Sequence, residues 1–155
     1  MATRSSITIL TEGINGEHYK GIYCHLDGYP EHNGALLLEC YNTLEKVQEL
    51  ILHGDMSSLA ERIEPETGAK HSFDNPQDGV CVYYHRDRGE NWEYVQPFEK
   101  DSQEEYYKGN CQEYNYLFKD GKWYWNSWGE EYWRDNKPTW KELTREDCHI
   151  AICRD

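Results

Sequence analysis

Ile22-Tyr-Cys-His-Leu-Asp-Gly-Tyr-Pro-Glu-His-Asn-Gly-Ala-Leu-Leu-Leu-Glu39 joins a strand end, a polar turn and a helix start within eighteen residues. Gly28 and Pro30 flank Tyr29, so the chain turns there. Tyr29 is held extended, because the residue before a proline is kept out of the α region. Gly34 precedes Ala-Leu-Leu-Leu-Glu-Cys-Tyr41, a run of good helix formers that predicts a helix with Asn33 as its N-cap. The turn then ends on the positive end of a helix dipole, where an anionic group can be held. Cys24, His25, Asp27, Tyr29, Glu31 and His32 gather in this turn, and chemistry or recognition is expected there. The plainer reading of the same residues is an Asx-turn at Asp27 beside solvated His25 and His32.

Upstream, residues 5–11 and 18–25 are short β-branched and aromatic runs on either side of Gly13-Ile-Asn-Gly16, which predicts a β-hairpin. Antiparallel pairing brings Thr3, Arg4 and Ser5 close to Cys24, His25 and Asp27. Arg4 is then expected to meet Asp27, either as a structural ion pair or as one wall of a pocket.

Downstream, Thr43 is a good N-cap for a helix over 44–53. Leu44, Val47, Leu50 and Ile51 recur at three- and four-residue steps, and Gly54 ends it. Residues 55–79 read as loop with one helical turn near Leu59. Within them, His71 and Asp74 are candidates to join His25 in a metal or acid/base site, and no metal or cofactor is assigned.

The run Val80-Cys-Val-Tyr-Tyr-His85 reads as a central strand, resuming over 92–95. The turn between them carries Arg86 and Arg88. These either clamp a phosphate or carboxylate or pair with Asp87, Glu90 and Glu93 at the surface. Residues 99–109 predict a loop and short helix. Asp120-Gly121 between 112–118 and 122–126 is a strong hairpin signal, with Tyr114, Tyr116, Phe118, Trp123 and Trp125 on one aromatic face. The final segment, with Trp128, Tyr132, Trp133 and Trp140, is too aromatic for a disordered tail. It is an aromatic-rich appendage over 126–155 in which Cys148–Cys153 adds a last edge strand.

Nine of the eleven Leu precede residue 60, and 17 of the 22 aromatic residues follow residue 82. No Pro/Gly/Ser linker separates the two halves. The expectation is one α+β domain over 1–155: an antiparallel sheet built from hairpins, with two helices packed on one face. The formal charge of −13 is spread along the chain. Free nucleic acid is therefore a poor partner, since phosphate contacts need an excess of Lys and Arg. The acidity serves solubility, or it presents a phosphate-like surface to a basic protein. The opening residues lack the apolar core of a secretion signal and no run approaches a membrane span, so a cytoplasmic protein with reduced thiols is expected. The six cysteines include no Cys-x-x-Cys pair.

Ala2-Thr3-Arg4-Ser5, Tyr23-Cys-His-Leu-Asp-Gly-Tyr-Pro-Glu31, Lys70-His-Ser-Phe73 and Tyr84-His-Arg-Asp-Arg-Gly-Glu90 together resemble a family of small phage and prophage proteins of uncharacterised function. The resemblance covers about the first 125 residues of the chain. It implies a source in a bacterial host and a counter-defence role of the anti-CRISPR kind. It carries no catalytic residue onto this sequence.

Three functions follow as expectations. The first is an acidic inhibitor of a basic, nucleic-acid-handling host defence protein, acting as a DNA mimic. The second is a small-ligand protein binding a nucleotide-like anion through Arg4, Ser5, His25, Asp27, Tyr29, Glu31, Arg86 and Arg88. The third is a hydrolase or transferase using His25 and Asp27 with Cys24 or Ser5 as nucleophile. It is weakened because neighbours in a strand point to opposite faces.

Overall fold

A computed structural model describes residues 2–14, 16–127 and 139–150. Its organising element is β1 (Ser5–Gly13), whose first six residues are all buried, so both of its faces are covered. Such a continuous buried run marks an interior strand. β1 pairs antiparallel with β2 (Gly16–Cys24) over the full predicted hairpin, with Ser5 opposite Cys24 and Gly13 opposite Gly16. Gly21 lies against β1 so closely that a Cβ there would collide with the Ile7 carbonyl and with Thr8.

On its other side β1 pairs in parallel with β6 (Tyr114–Lys119). β6 turns at Asp120-Gly121 into β7 (Lys122–Ser127), both turn residues having positive φ, as a type I′ hairpin requires. With β3 (Met56–Ser58), β4 (Val82–Tyr83) and β8 (Lys141–Glu142), the sheet runs β4-β3-β2-β1-β6-β7-β8. A further strand, β5 (Phe98–Lys100), pairs with β2. The sheet is mixed, not purely antiparallel, because β1–β6 and β2–β3 are parallel.

The helices occupy both faces. A π-helical turn (Pro30–Gly34) runs directly into α1 (Ala35–Cys40), followed by α2 (Leu44–Leu52). Leu37, Val47, Leu50 and Ile51 pack with Ile7, Ile9, Ile22, Tyr116, Phe118 and Trp123, and each buried side chain of this size contributes about 1.5–3 kcal/mol. The aromatic face of the β6–β7 hairpin lies here, as its alternation implies. The expectation of helices on one face only is corrected by α5 (Gln103–Gly109). Its Tyr106 and Tyr107 cover the opposite face with Leu10, Tyr19 and Leu117.

Four further expectations are corrected. Residues 80–85 do not form a central strand: β4 has two residues at the sheet edge and gives way to α3 (Tyr84–Arg88). Asp87 accepts the Tyr83 N–H at 2.8 Å, and Gly89, at φ 80°, closes the helix. Residues 92–95 form α4 (Trp92–Val95), nucleated by Asn91, whose side chain accepts from the Glu93 N–H at 2.9 Å. No helical turn forms near Leu59: β3 ends at Ser58, and residues 59–64 are irregular apart from a single bridge at Arg62. Cys148 and His149 lie in a turn after β8 and Ile150 is not in a strand, so the predicted edge strand does not form over 148–150; residues 151–153 fall outside the described residues, as do Trp128, Tyr132 and Trp133. No helix among the described residues is long and apolar enough to cross a membrane.

Candidate functional site

The segment between β2 and α1 folds flat across the start of β1. The Gly28 N–H donates to the Thr3 carbonyl at 2.8 Å, and the Gly28 carbonyl accepts from the Tyr116 hydroxyl at 2.6 Å. A Cβ at Gly28 would stand 2.8–2.9 Å from Ser5 and from the Arg4 and Thr3 carbonyls, so only glycine permits this approach. Asp27 adopts φ 56°, a left-handed conformation Asp tolerates, and its carboxylate accepts from the Tyr29 hydroxyl at 3.1 Å. Tyr29 is extended as predicted, at φ −67° and ψ 156°.

Asn33 is not the N-cap. The helical path begins at Pro30, a residue suited to a first helical position. Asn33 is instead fully buried inside the turn, donating to Ser5 Oγ at 3.1 Å, the Leu26 carbonyl at 3.3 Å and Cys24 Sγ at 3.5 Å. The His32 and Asn33 N–H groups already bond to the Tyr29 carbonyl, so the anion-holding helix start does not form.

Above this buried knot lies a partly exposed polar chain. Tyr23 and His25, two apart on β2 and its continuation, share one side of the strand. The Arg4 guanidinium lies close enough to the Tyr23 hydroxyl to favour its ionised form, and that hydroxyl lies 2.6 Å from His25 Nδ1. Burial pushes the Tyr23 phenol up, and Arg4 opposes that push. Next to it, Ser57 lies beside the Tyr84 hydroxyl, whose pKa burial also raises.

The predicted residues therefore divide into separate groups. Ser5 joins the buried knot, Asp27 and Tyr29 bond to each other, and exposed Glu31 pairs with His149 at 3.3 Å. Arg4 does not reach Asp27; its side chain turns to Tyr23, and its backbone N–H donates to Glu113 at 3.0 Å.

Arg86 and Arg88, two apart on α3, do not converge on one ligand. Arg86 is committed inward: Nε donates to Asp87 at 2.9 Å, and the terminal nitrogens donate to the Ile63 carbonyl at 2.7 Å and the Cys81 carbonyl at 2.8 Å. Burial alone would raise the Asp87 carboxyl, but Arg86, the Tyr83 N–H and His71 together hold it below its usual value. Arg88 lies 4.6 Å above the Phe73 ring and 3.2 Å from Glu90. His71 stands 3.2 Å from Asp87 and so belongs to the Arg86 cluster. No group of His, Cys, Asp and Glu among the described residues is arranged to hold a metal ion.

No family model, curated protein or solved structure matches this chain. What the site does chemically must come from its own geometry. Cys24 is fully buried and its thiol is pushed up to about 12, mainly by burial, so it is not a thiolate at neutral pH. Ser5 is equally inaccessible. His25 is engaged by Tyr23 and Asp27 by Tyr29, so neither nucleophile–base arrangement assembles. The remaining arrangement is a partly exposed polar group of Arg4, Tyr23, His25, Ser57 and Tyr84. The spacing of Tyr23 and His25 on one strand face was the signal for the first pair. Ser57 and Tyr84 carried none, because separate elements bring them there.

Proposed function

We propose that this protein acts by binding, as an acidic inhibitor of a basic, nucleic-acid-handling host defence protein in the bacterial cytoplasm. The observation that supports the reading is how the cations are used. Arg62, Arg86, Arg88, Lys108, Lys119 and Arg145 each lie within ion-pair distance of a carboxylate. The surplus of carboxylates behind the formal charge of −13 stays at the surface, with Glu45, Glu49, Glu61 and Glu64 exposed around α2 and β3 and Glu99, Asp101 and Glu105 around β5 and α5. Distributed negative charge suits a partner that ordinarily meets phosphates, and complementary fields speed such encounters.

The test is capture of partners from a phage-susceptible bacterial lysate with the tagged protein at low and high salt, analysing both proteins and extracted small molecules. Recovery at low salt of a nucleic-acid-binding protein that double-stranded DNA then displaces supports the reading. Recovery of a nucleotide-like compound without a protein overturns it and moves function to the Arg4–Tyr23–His25 chain.

A further inference from the structure

Helix α4 is one turn long, yet it carries two of the large side chains left exposed. Trp92 is 37 % exposed and Tyr94 79 %. Its orientation is fixed by Val95, which is buried and whose carbonyl accepts from the Asp55 N–H at 2.7 Å, and by the Asn91 cap. Helical steps of about 100° place Glu93 on the side away from Val95, with Trp92 and Tyr94 on either flank. Trp92 is held by Gly54, where a Cβ would stand 3.1 Å from its ring, and by an edge contact with His85 at 5.1 Å. Glu93 has no ion-pair partner among the described residues, whereas Arg88 and Glu90 neutralise each other nearby.

We propose that this corner is the anchor point for the partner, and that its occupant is an arginine or lysine side chain of a basic protein. The cationic head meets Glu93 while the apolar stem and the charge lie against Trp92 or Tyr94, a combination of cation–π and charge contacts. Exposed Trp and Tyr within a polar surround are the residue types that dominate interface energetics. A free carboxylate between them selects for positive charge, which matches the acidity of the whole chain. The inference rests on the acidic-binding reading above and places its centre.

The test titrates a fluorescein-labelled arginine–glycine repeat peptide into the full-length protein at low and physiological salt. Tyr94→Ser, Trp92→Leu, Glu93→Gln and the control Glu142→Gln, exposed on β8 at the opposite edge of the sheet, are compared with wild type, with each fold checked by circular dichroism. The expected result is salt-sensitive binding by wild type, weakened about tenfold by Tyr94→Ser or Trp92→Leu. Glu93→Gln weakens it with a shallower salt dependence, and Glu142→Gln leaves it close to wild type. Wild-type binding that all three corner variants retain overturns the anchor and leaves the acidic reading intact. No binding by wild type at low salt overturns both. A sedimenting dimer that Tyr94→Ser dissociates also overturns the proposal, since the occupant is then a second copy.

Discussion

Asn33 Nδ2 donates to Ser5 Oγ at 3.1 Å, which ties the first helical turn after β2 to the first residue of the central strand. Both side chains are fully buried, and Ser5 is the register partner of Cys24 in the hairpin. One amide thus holds the turn, β1 and β2 together. Replacing Asn33 with Ala leaves the buried Ser5 hydroxyl and the Leu26 carbonyl without this donor. A loss of about 2–3 kcal/mol is expected, read as a lower urea midpoint with unchanged slope. A midpoint matching wild type would show that the knot is not holding the turn.

Asp55 predicts a pH dependence of defined sign. Burial raises its carboxyl from 3.8 to about 6, against the Tyr23 N–H that it accepts at 2.9 Å. Between about pH 4 and pH 6 the unfolded chain ionises Asp55 while the folded chain keeps the proton. Stability therefore falls as pH rises through that window, and the full cost, about 2–3 kcal/mol, persists above it. Asp55→Asn keeps an acceptor for Tyr23 and removes the ionisation. Denaturant midpoints should favour Asp55→Asn over wild type at pH 8 and converge at pH 4. An equal difference at both pH values would contradict the assignment.

Arg86 and Arg88 should respond very differently to substitution. Arg86→Lys gives up the fork that spans Asp87 and the Ile63 and Cys81 carbonyls, for an expected loss of about 2–4 kcal/mol. Arg88→Lys touches an ion pair whose arginine side chain is 52 % exposed and should cost under about 1 kcal/mol. Thermal melts of the two variants decide this. Similar melting temperatures would remove Arg86 from its structural role and restore it as a ligand candidate.

The thiols should react in an order set by burial. Cys40 is only partly buried, whereas Cys24 is fully buried with its thiol pushed up to about 12. Among the described cysteines, iodoacetamide at pH 8 should modify Cys40 before Cys24, which should react only on global unfolding. Peptide mass mapping over time reads the order directly. Early labelling of Cys24 would reopen it as a nucleophile.

Both long hairpins were legible in the sequence, because Gly13–Gly16 and Asp120-Gly121 are local signals that need no distant partner. The same holds for α2, where Thr43, the apolar spacing and Gly54 all lie within one short segment. Residues 80–95 misled. Val-Cys-Val-Tyr-Tyr carries strand propensity, but the Asp87 carboxylate that turns it into α3 is held in place by Arg86, itself oriented by the distant Ile63 carbonyl. Asn33 has the residue type and position of a cap, and only burial against Ser5 gave it another use. Arg4 likewise lies within reach of the turn by pairing alone, yet its side chain is directed to Tyr23.

By itself, then, the sequence determined the α+β class, both hairpins, α2 and the acidic surface. Each of these depends on short-range periodicity, turn chemistry or summed charge. Tertiary structure alone decided that β1 is central, that it pairs in parallel with β6 and that α5 covers the second face. Those outcomes join residues about a hundred positions apart, and no local pattern records which buried surfaces will meet.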